Sequence, residues 1–276
     1  MKIFLNSLPK SGTNMVQKCL ELASISYSGN SLAASSCFGK FGLIKKMMRQ
    51  PKLGQVPVVI GLEIPVGVSP KWIREYLHKS EGYVSGHAAF SEHCYSILNS
   101  EGYKTIQVVR HPCAVLASWA NYIAEPGYYW DEVHIQLAKM DFSERVRFLL
   151  NGGSVNTDDF TVYYKSFSDV LLQVEGWIEA ENVLTVRFED MVGEKGGGCN
   201  DAQRKSIAKV LNHIGMDFQN EDLDRLQAEL YGGTHTFRSG QIDSWKKEID
   251  EELAELISIT LKDCAIIKKL GYSEIL

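Results

Sequence analysis

The stretch Leu8-Pro9-Lys10-Ser11-Gly12-Thr13 stands directly behind the apolar run Ile3-Phe4-Leu5, a pattern of strand, tight turn and helix start. Amides in the first turn of a helix have no intrahelical partner and carry the positive end of its dipole, so phosphate or sulfate oxygens are stabilised there. Lys10 adds a full, mobile charge to this cradle. The nucleoside-triphosphate version of the device needs an earlier glycine, four residues ahead of Gly-Lys-Ser/Thr. Here the lysine precedes the glycine and Asn6-Ser7-Leu8 lacks that spacing, which speaks against an ordinary ATPase.

Two further segments carry charge of the same sign. Tyr103 to Arg110 is rich in β-branched residues and reads as a buried strand ending in Arg110; Pro112 then suits the first turn of a helix through Ala114-Val115-Leu116-Ala117-Ser118-Trp119. Ser118 lies about two helical turns beyond Arg110 and is able to face the crevice at the carboxyl ends of the strands, where open α/β sheets bind ligands. The run Phe237-Arg238-Ser239-Gly240-Gln241-Ile242-Asp243-Ser244-Trp245-Lys246 is a basic, glycine-containing loop ahead of a C-terminal helix. Lys10, Arg110 and Arg238 are thus three cationic anchors.

Together these segments resemble the sulfotransferases that use 3′-phosphoadenosine 5′-phosphosulfate (PAPS), and the likeness spans nearly the whole chain. Pro9 to Thr13 resembles the family's 5′-phosphosulfate loop, to which Asn14 is adjacent. Arg110 and Ser118 match the arginine and serine of its 3′-phosphate site, and Phe188-Glu189-Asp190-Met191 is similar to a segment near the adenine. Phe237, Arg238, Ser239 and Gly240 correspond to the loop that closes over the donor. Val84-Ser85-Gly86-His87 occupies the place of the family's base-bearing histidine. The resemblance implies a single P-loop-like α/β domain over 1–276 with a mostly parallel sheet flanked by helices. It also implies His87 as base, Lys10 and Ser118 as its catalytic companions, and PAPS as co-substrate with no metal.

Several positions depart from the family pattern. Asn14 and Met15 replace a Thr-Trp pair, Ala114 replaces an aspartate, Ser239 replaces a lysine, and no lysine precedes His87 by two residues. These departures look more like bacterial members than animal cytosolic ones.

Composition agrees with a soluble enzyme. With 276 residues, 45% hydrophobic and 23% charged, the chain can bury a substantial core. Six scattered cysteines, Cys19, Cys37, Cys94, Cys113, Cys199 and Cys264, form no C-x-x-C pair, and no secretory leader precedes the first strand, so free thiols and a cytoplasmic location are expected. No apolar run approaches the roughly 20 residues of a membrane span. A formal charge of −5, from 34 acidic and 29 basic residues, is opposite to that of nucleic-acid binders. The Lys45-Lys46 and Arg49 patch reads as a solvated helix face. Nothing here indicates an oligomeric state.

Strands of a parallel sheet are expected at 2–7, 57–62, 82–86, 103–110 and 183–188. Helices are expected at 13–24, 69–79, 88–99, 112–124, 168–181, 201–214, 221–230 and 247–269, with Gly193 to Gly198 as a surface loop. The stretches 28–56, with Gly29, Gly39 and Gly42, and 125–165, with Tyr128-Tyr129-Trp130 and Glu144-Arg145, read as insertions that bind a small-molecule acceptor or, equally, as aromatic packing against the core. An imidazole titrates near neutral pH, which suits His87 as general base. Two alternatives stay open: a P-loop kinase holding Mg²⁺ through Glu189-Asp190, and a PAP(S)-binding protein without turnover, PAP being adenosine 3′,5′-bisphosphate.

Overall fold

The computed structural model describes residues 1–33, 51–125, 131–232 and 240–272. Its first half runs β1 (Lys2–Ser7), α1 (Thr13–Leu22), β2 (Tyr27–Leu32), β3 (Val58–Ile60), β4 (Val66–Val68), α2 (Pro70–His78), β5 (Gly82–Gly86), α3 (Glu92–Ser100), β6 (Tyr103–Val109) and α4 (Pro112–Tyr122). The second half continues with α5 (Asp131–Ala138), α6 (Phe142–Asn151), β7 (Gly153–Asn156), β8 (Thr161–Tyr164), α7 (Phe167–Glu179), β9 (Val183–Arg187) and α8 (Phe188–Met191). It ends with α9 (Asn200–Ile214), α10 (Asn220–Leu230), α11 (Glu251–Leu261) and α12 (Ala265–Lys269).

Five parallel strands form one sheet in the order β2-β5-β1-β6-β9. Successive residues of β1 point to opposite faces. Ile3 and Leu5 pack with Val16 and Leu20 of α1 and with Ile207 and Leu211 of α9, whereas Phe4 packs on the other side with Leu116 of α4 and Trp177 of α7. A parallel sheet covered on both faces needs such near-continuous apolar strands, which is why β1 and β6 are legible in the sequence.

Two expectations about the sheet, and two about helix bounds, are corrected. Residues 57–62 do not join the parallel sheet: β3 pairs antiparallel with β4 in a separate two-stranded ribbon. The apolar run signals burial, and Val58, Ile60 and Leu62 are indeed fully buried, but burial does not specify the pairing partner. The fifth parallel strand is β2, Tyr-Ser-Gly-Asn-Ser-Leu, inside the stretch assigned to an insertion. It is an edge strand, half exposed and bonded on one side only, so its poor strand-forming residues are tolerated. The helix expected at 88–99 starts at Glu92, capped by Ser91, and the one expected at 247–269 breaks into α11 and α12. Gly193 to Gly198 contains a single 3-10 turn, Glu194–Gly196, with Gly196 buried. Lys45, Lys46, Arg49, Gly39, Gly42 and Tyr128-Tyr129-Trp130 lie outside the described residues. The five described cysteines are free, and among the described residues no helix is long and apolar enough to cross a membrane.

Candidate active site

From β1 the chain builds outward to β2 and β5 on one side, then crosses to β6 and β9 on the other, so the topology reverses at β1. Asn6 is in register with Gly86, Ser7 with Val108, and Val109 with Arg187. The segments that follow these partners therefore leave the sheet side by side: the Leu8–Thr13 loop, His87, Arg110 and Phe188.

The loop owes its shape to two residues with left-handed backbone, Lys10 at φ 61° and Gly12 at φ 92°. It is tied to the sheet by Leu8 N–H donating to the Val108 carbonyl (3.2 Å) and by the Ser11 hydroxyl donating to the Leu8 carbonyl (2.7 Å). Gly12 is the N-cap of α1, and no side chain caps that helix end. An anion in the loop would meet the amides of the first turn directly. A Cβ at Gly12 would lie 2.4 Å from Cδ2 of Phe188. Gly12→Ala is expected to cost about 2–4 kcal/mol, from the left-handed backbone and the overlap with an immobile ring, as measured by denaturant unfolding.

His87 is positioned by main-chain contacts. Its Nδ1 lies 2.9 Å from the Ser7 carbonyl, its N–H donates to the Leu32 carbonyl (3.0 Å), and its own carbonyl accepts from Gly61 N–H (2.8 Å). A carbonyl only accepts, so Nδ1 carries the proton and the neutral ring keeps its lone pair on Nε2. The buried Asn6 side chain fixes the turn behind it by donating to the Ala88 carbonyl (3.0 Å) and to Gln107 Oε1 (2.8 Å) and accepting from Ala88 N–H (2.8 Å). Ser7 Oγ meets Thr13 Oγ1 at 2.6 Å and lies 3.2 Å from His87 Nδ1, joining the histidine to the anion loop.

The Arg110 guanidinium stacks on the Phe188 ring (4.2 Å) and donates from Nη2 to the Gln241 carbonyl (3.1 Å), while its buried Nε has no partner among the described residues. Burial pulls its pKa down, against the field of Glu189. A half-buried cation held by one carbonyl and with an unsatisfied donor suits a multiply charged anion. Behind it, Glu189 accepts from His111 N–H (2.8 Å) and from the Tyr272 hydroxyl (2.7 Å). The carboxylate that a Mg²⁺-dependent kinase would need is thus engaged in holding the turn.

A family model described as a sulfotransferase domain matches residues 1–270. The chain belongs to the sulfotransferase family. Its chemistry is therefore sulfuryl transfer. Among solved structures, the chain is similar to mouse sulfotransferase SULT7A1 complexed with PAP, at 16% identity and a TM-score of 0.59 over 99% of this chain and 89% of that one. It is also similar to retinol dehydratase in complex with androsterone and inactive cofactor PAP, at 15% identity and a TM-score of 0.58 over 95% and 80%. A comparison of the sequence with curated proteins gives no match.

The remaining expected site residues of this sulfotransferase fall into four groups. Ser118 is half-buried on α4, one turn before Tyr122, whose ring carries the Lys10 ammonium 3.9 Å from its centroid; positions i and i+4 share a helix face, so Ser118 and Lys10 flank the same space. Asn14 lies in the first turn of α1, and Gly240 has its carbonyl against Gly196. Phe237, Arg238 and Ser239 lie outside the described residues. Phe188 is only 4% exposed, occupied by Gly12 and Arg110, and Trp245 stacks on His111 at 5.0 Å.

Sequence reasoning missed Asn6, Ser7, Tyr122 and Glu63. Asn6 and Ser7 are recognisable afterwards as a polar pair closing an apolar strand. Among the described residues Glu63 is the one charged side chain that is buried, at 4% exposure, a lone acid in the apolar run around β3. Burial, then Glu63 and Glu125, push the Tyr122 phenol up. Among the described residues no group of three or more His, Cys, Asp or Glu is placed to hold a metal ion.

Proposed function

We propose that this sulfotransferase moves the sulfuryl group of PAPS to a hydroxyl or amine of a small-molecule acceptor by in-line displacement, releasing PAP. The observation that supports the reading is the 2.9 Å contact of His87 Nδ1 with the Ser7 carbonyl, on the strand that continues into the anion loop, which sets the proposed base against the proposed phosphosulfate cradle. His87 takes the acceptor's proton at Nε2 as the acceptor heteroatom bonds to sulfur. Lys10 and the first-turn amides of α1 stabilise the negative charge left on the phosphate oxygen when the S–O bond breaks. Ser118 serves as hydrogen-bond partner of Lys10 or of the 3′-phosphate. Arg110, with Arg238, grips the 3′-phosphate, the group that ATP lacks. Asn14, Phe188 and the 237–240 loop complete the donor site.

The proposed acceptor is a small molecule, retinol dehydratase having been solved in complex with one, androsterone, together with PAP, and the segments 33–56 and 125–165 are assigned to its recognition. Location is proposed to be cytoplasmic. PAP is expected to raise the melting temperature strongly and ATP with Mg²⁺ weakly, because a ligand that binds only the native state stabilises it. Sulfation of an alcohol or phenol is expected to survive EDTA. Equal thermal shifts would overturn the assignment of a 3′-phosphate site, and sulfation lost to EDTA and restored by a divalent ion would overturn metal independence.

A further inference from the structure

Five residues from four separate segments of the sequence converge behind Arg110. Besides its two hydrogen bonds to His111 N–H and the Tyr272 hydroxyl, Glu189 has Oε2 3.9 Å from Arg187 Nε. The Arg187 guanidinium lies over the Tyr272 ring at 4.5 Å, and the His111 ring is stacked between Trp245 (5.0 Å, 10°) and the edge of Tyr272 (5.3 Å, 76°). Tyr272 reaches this place because α12 is followed by Gly271, whose left-handed backbone (φ 76°) turns the chain inward, with Tyr272 N–H donating to the Ile267 carbonyl at 3.0 Å. The Tyr272 side chain is buried. Burial and Glu189 push its phenol well up, so it stays a donor at any physiological pH.

We infer that Tyr272 and Glu189 are positioning residues for the donor's 3′-phosphate, tying the C-terminal end of the chain to the turn that aims Arg110. This rests on the assignment of Arg110 to that phosphate. The mechanical route is short. Glu189 fixes the amide of the residue next to Arg110, and Phe188, its own neighbour, forms the floor under the guanidinium. On the opposite side the Gln241 carbonyl holds Nη2, and Trp245, four residues on, is pressed against His111. Arg110 is thus oriented from above and below by contacts that converge on one carboxylate. A planar guanidinium binds phosphate oxygens well only when its plane is set beforehand, and loss of that order is felt by the phosphate it grips and not by a distant one.

The test compares two nucleotides that differ by the 3′-phosphate alone, PAP and adenosine 5′-monophosphate, by calorimetric titration. Tyr272→Phe keeps the ring contacts to Arg187 and His111 and removes only the O–H donor. It is expected to weaken PAP about 3- to 10-fold while leaving the monophosphate unchanged. Glu189→Gln is expected to act in the same direction and more strongly, since it changes the acceptor of both bonds. Equal weakening of the two nucleotides, or no weakening of either, in a Tyr272→Phe protein with wild-type unfolding overturns the inference. Arg110→Ala is the control. If it fails to lower the preference for PAP over the monophosphate, the underlying assignment of Arg110 fails, an outcome distinct from failure of the tie.

Discussion

Replacing His87 by alanine is expected to lower turnover on an aliphatic alcohol by on the order of 10²–10⁴-fold at saturating PAPS, the usual range for a positioned acid–base group, while PAP affinity stays nearly unchanged. The reason is geometric. The imidazole is held through its Nδ1–H and through the backbone of residues 87 and 88, so its loss leaves the anion loop intact apart from two contacts to Ser7, 2.9 Å to the carbonyl and 3.2 Å to Oγ. A phenol acceptor, with a lower pKa than an alcohol, should lose less because it needs less help in giving up its proton. Turnover of the variant on both acceptors, alongside calorimetric PAP binding, checks both halves of the claim. Near wild-type turnover on the alcohol would remove His87 as base and make His93, at the start of α3, the next residue to test.

Lys10→Ala should behave differently, impairing donor binding and turnover together. Its charge meets the phosphosulfate in the ground state and gains value as negative charge accumulates on the leaving oxygen, so a turnover loss of about 10²–10³-fold is expected in addition to weaker PAP binding. The loop should keep its shape, since alanine at φ 61° inherits the backbone strain that lysine already bears and the ties through Leu8 and Ser11 do not involve the side chain. Unchanged PAP affinity with normal kcat in Lys10→Ala would exclude Lys10 from the donor site. The Tyr122 ring now under the ammonium contributes little against this, because an exposed cation–π contact is worth about 0.5–1 kcal/mol.

The contrast between these variants separates recognition from chemistry within one edge of the sheet. In the proposed mechanism His87 acts on the acceptor and Lys10 on the donor, and the register of β5, β1 and β6 sets the segments that carry them side by side. Glu189 illustrates how a motif changes meaning in context. In the sequence it is a candidate Mg²⁺ ligand. In the fold it is a hydrogen-bond acceptor for His111 and Tyr272, which supports the sulfuryl-transfer reading over the kinase one.

By itself the sequence determined the chemistry-bearing loop and the core strands. Lys10 and Gly12 could be named because anion cradles need a glycine turn, a cation and a helix start in local succession, and Arg110 because it ends a strand whose continuous apolar run marks burial on both faces, whereas His87 was named only through the family resemblance. These are short-range constraints, written within ten residues. Only the tertiary structure decided that residues 58–60 pair antiparallel beside His87 while the polar segment 27–32 completes the sheet, since pairing depends on which edge is available and not on composition. It alone gave His87 its tautomer, through a carbonyl 80 residues away in the chain, and gathered Arg187, Glu189, Trp245 and Tyr272 around His111. Such contacts are set by the packing of distant elements, and no local pattern of residues encodes them.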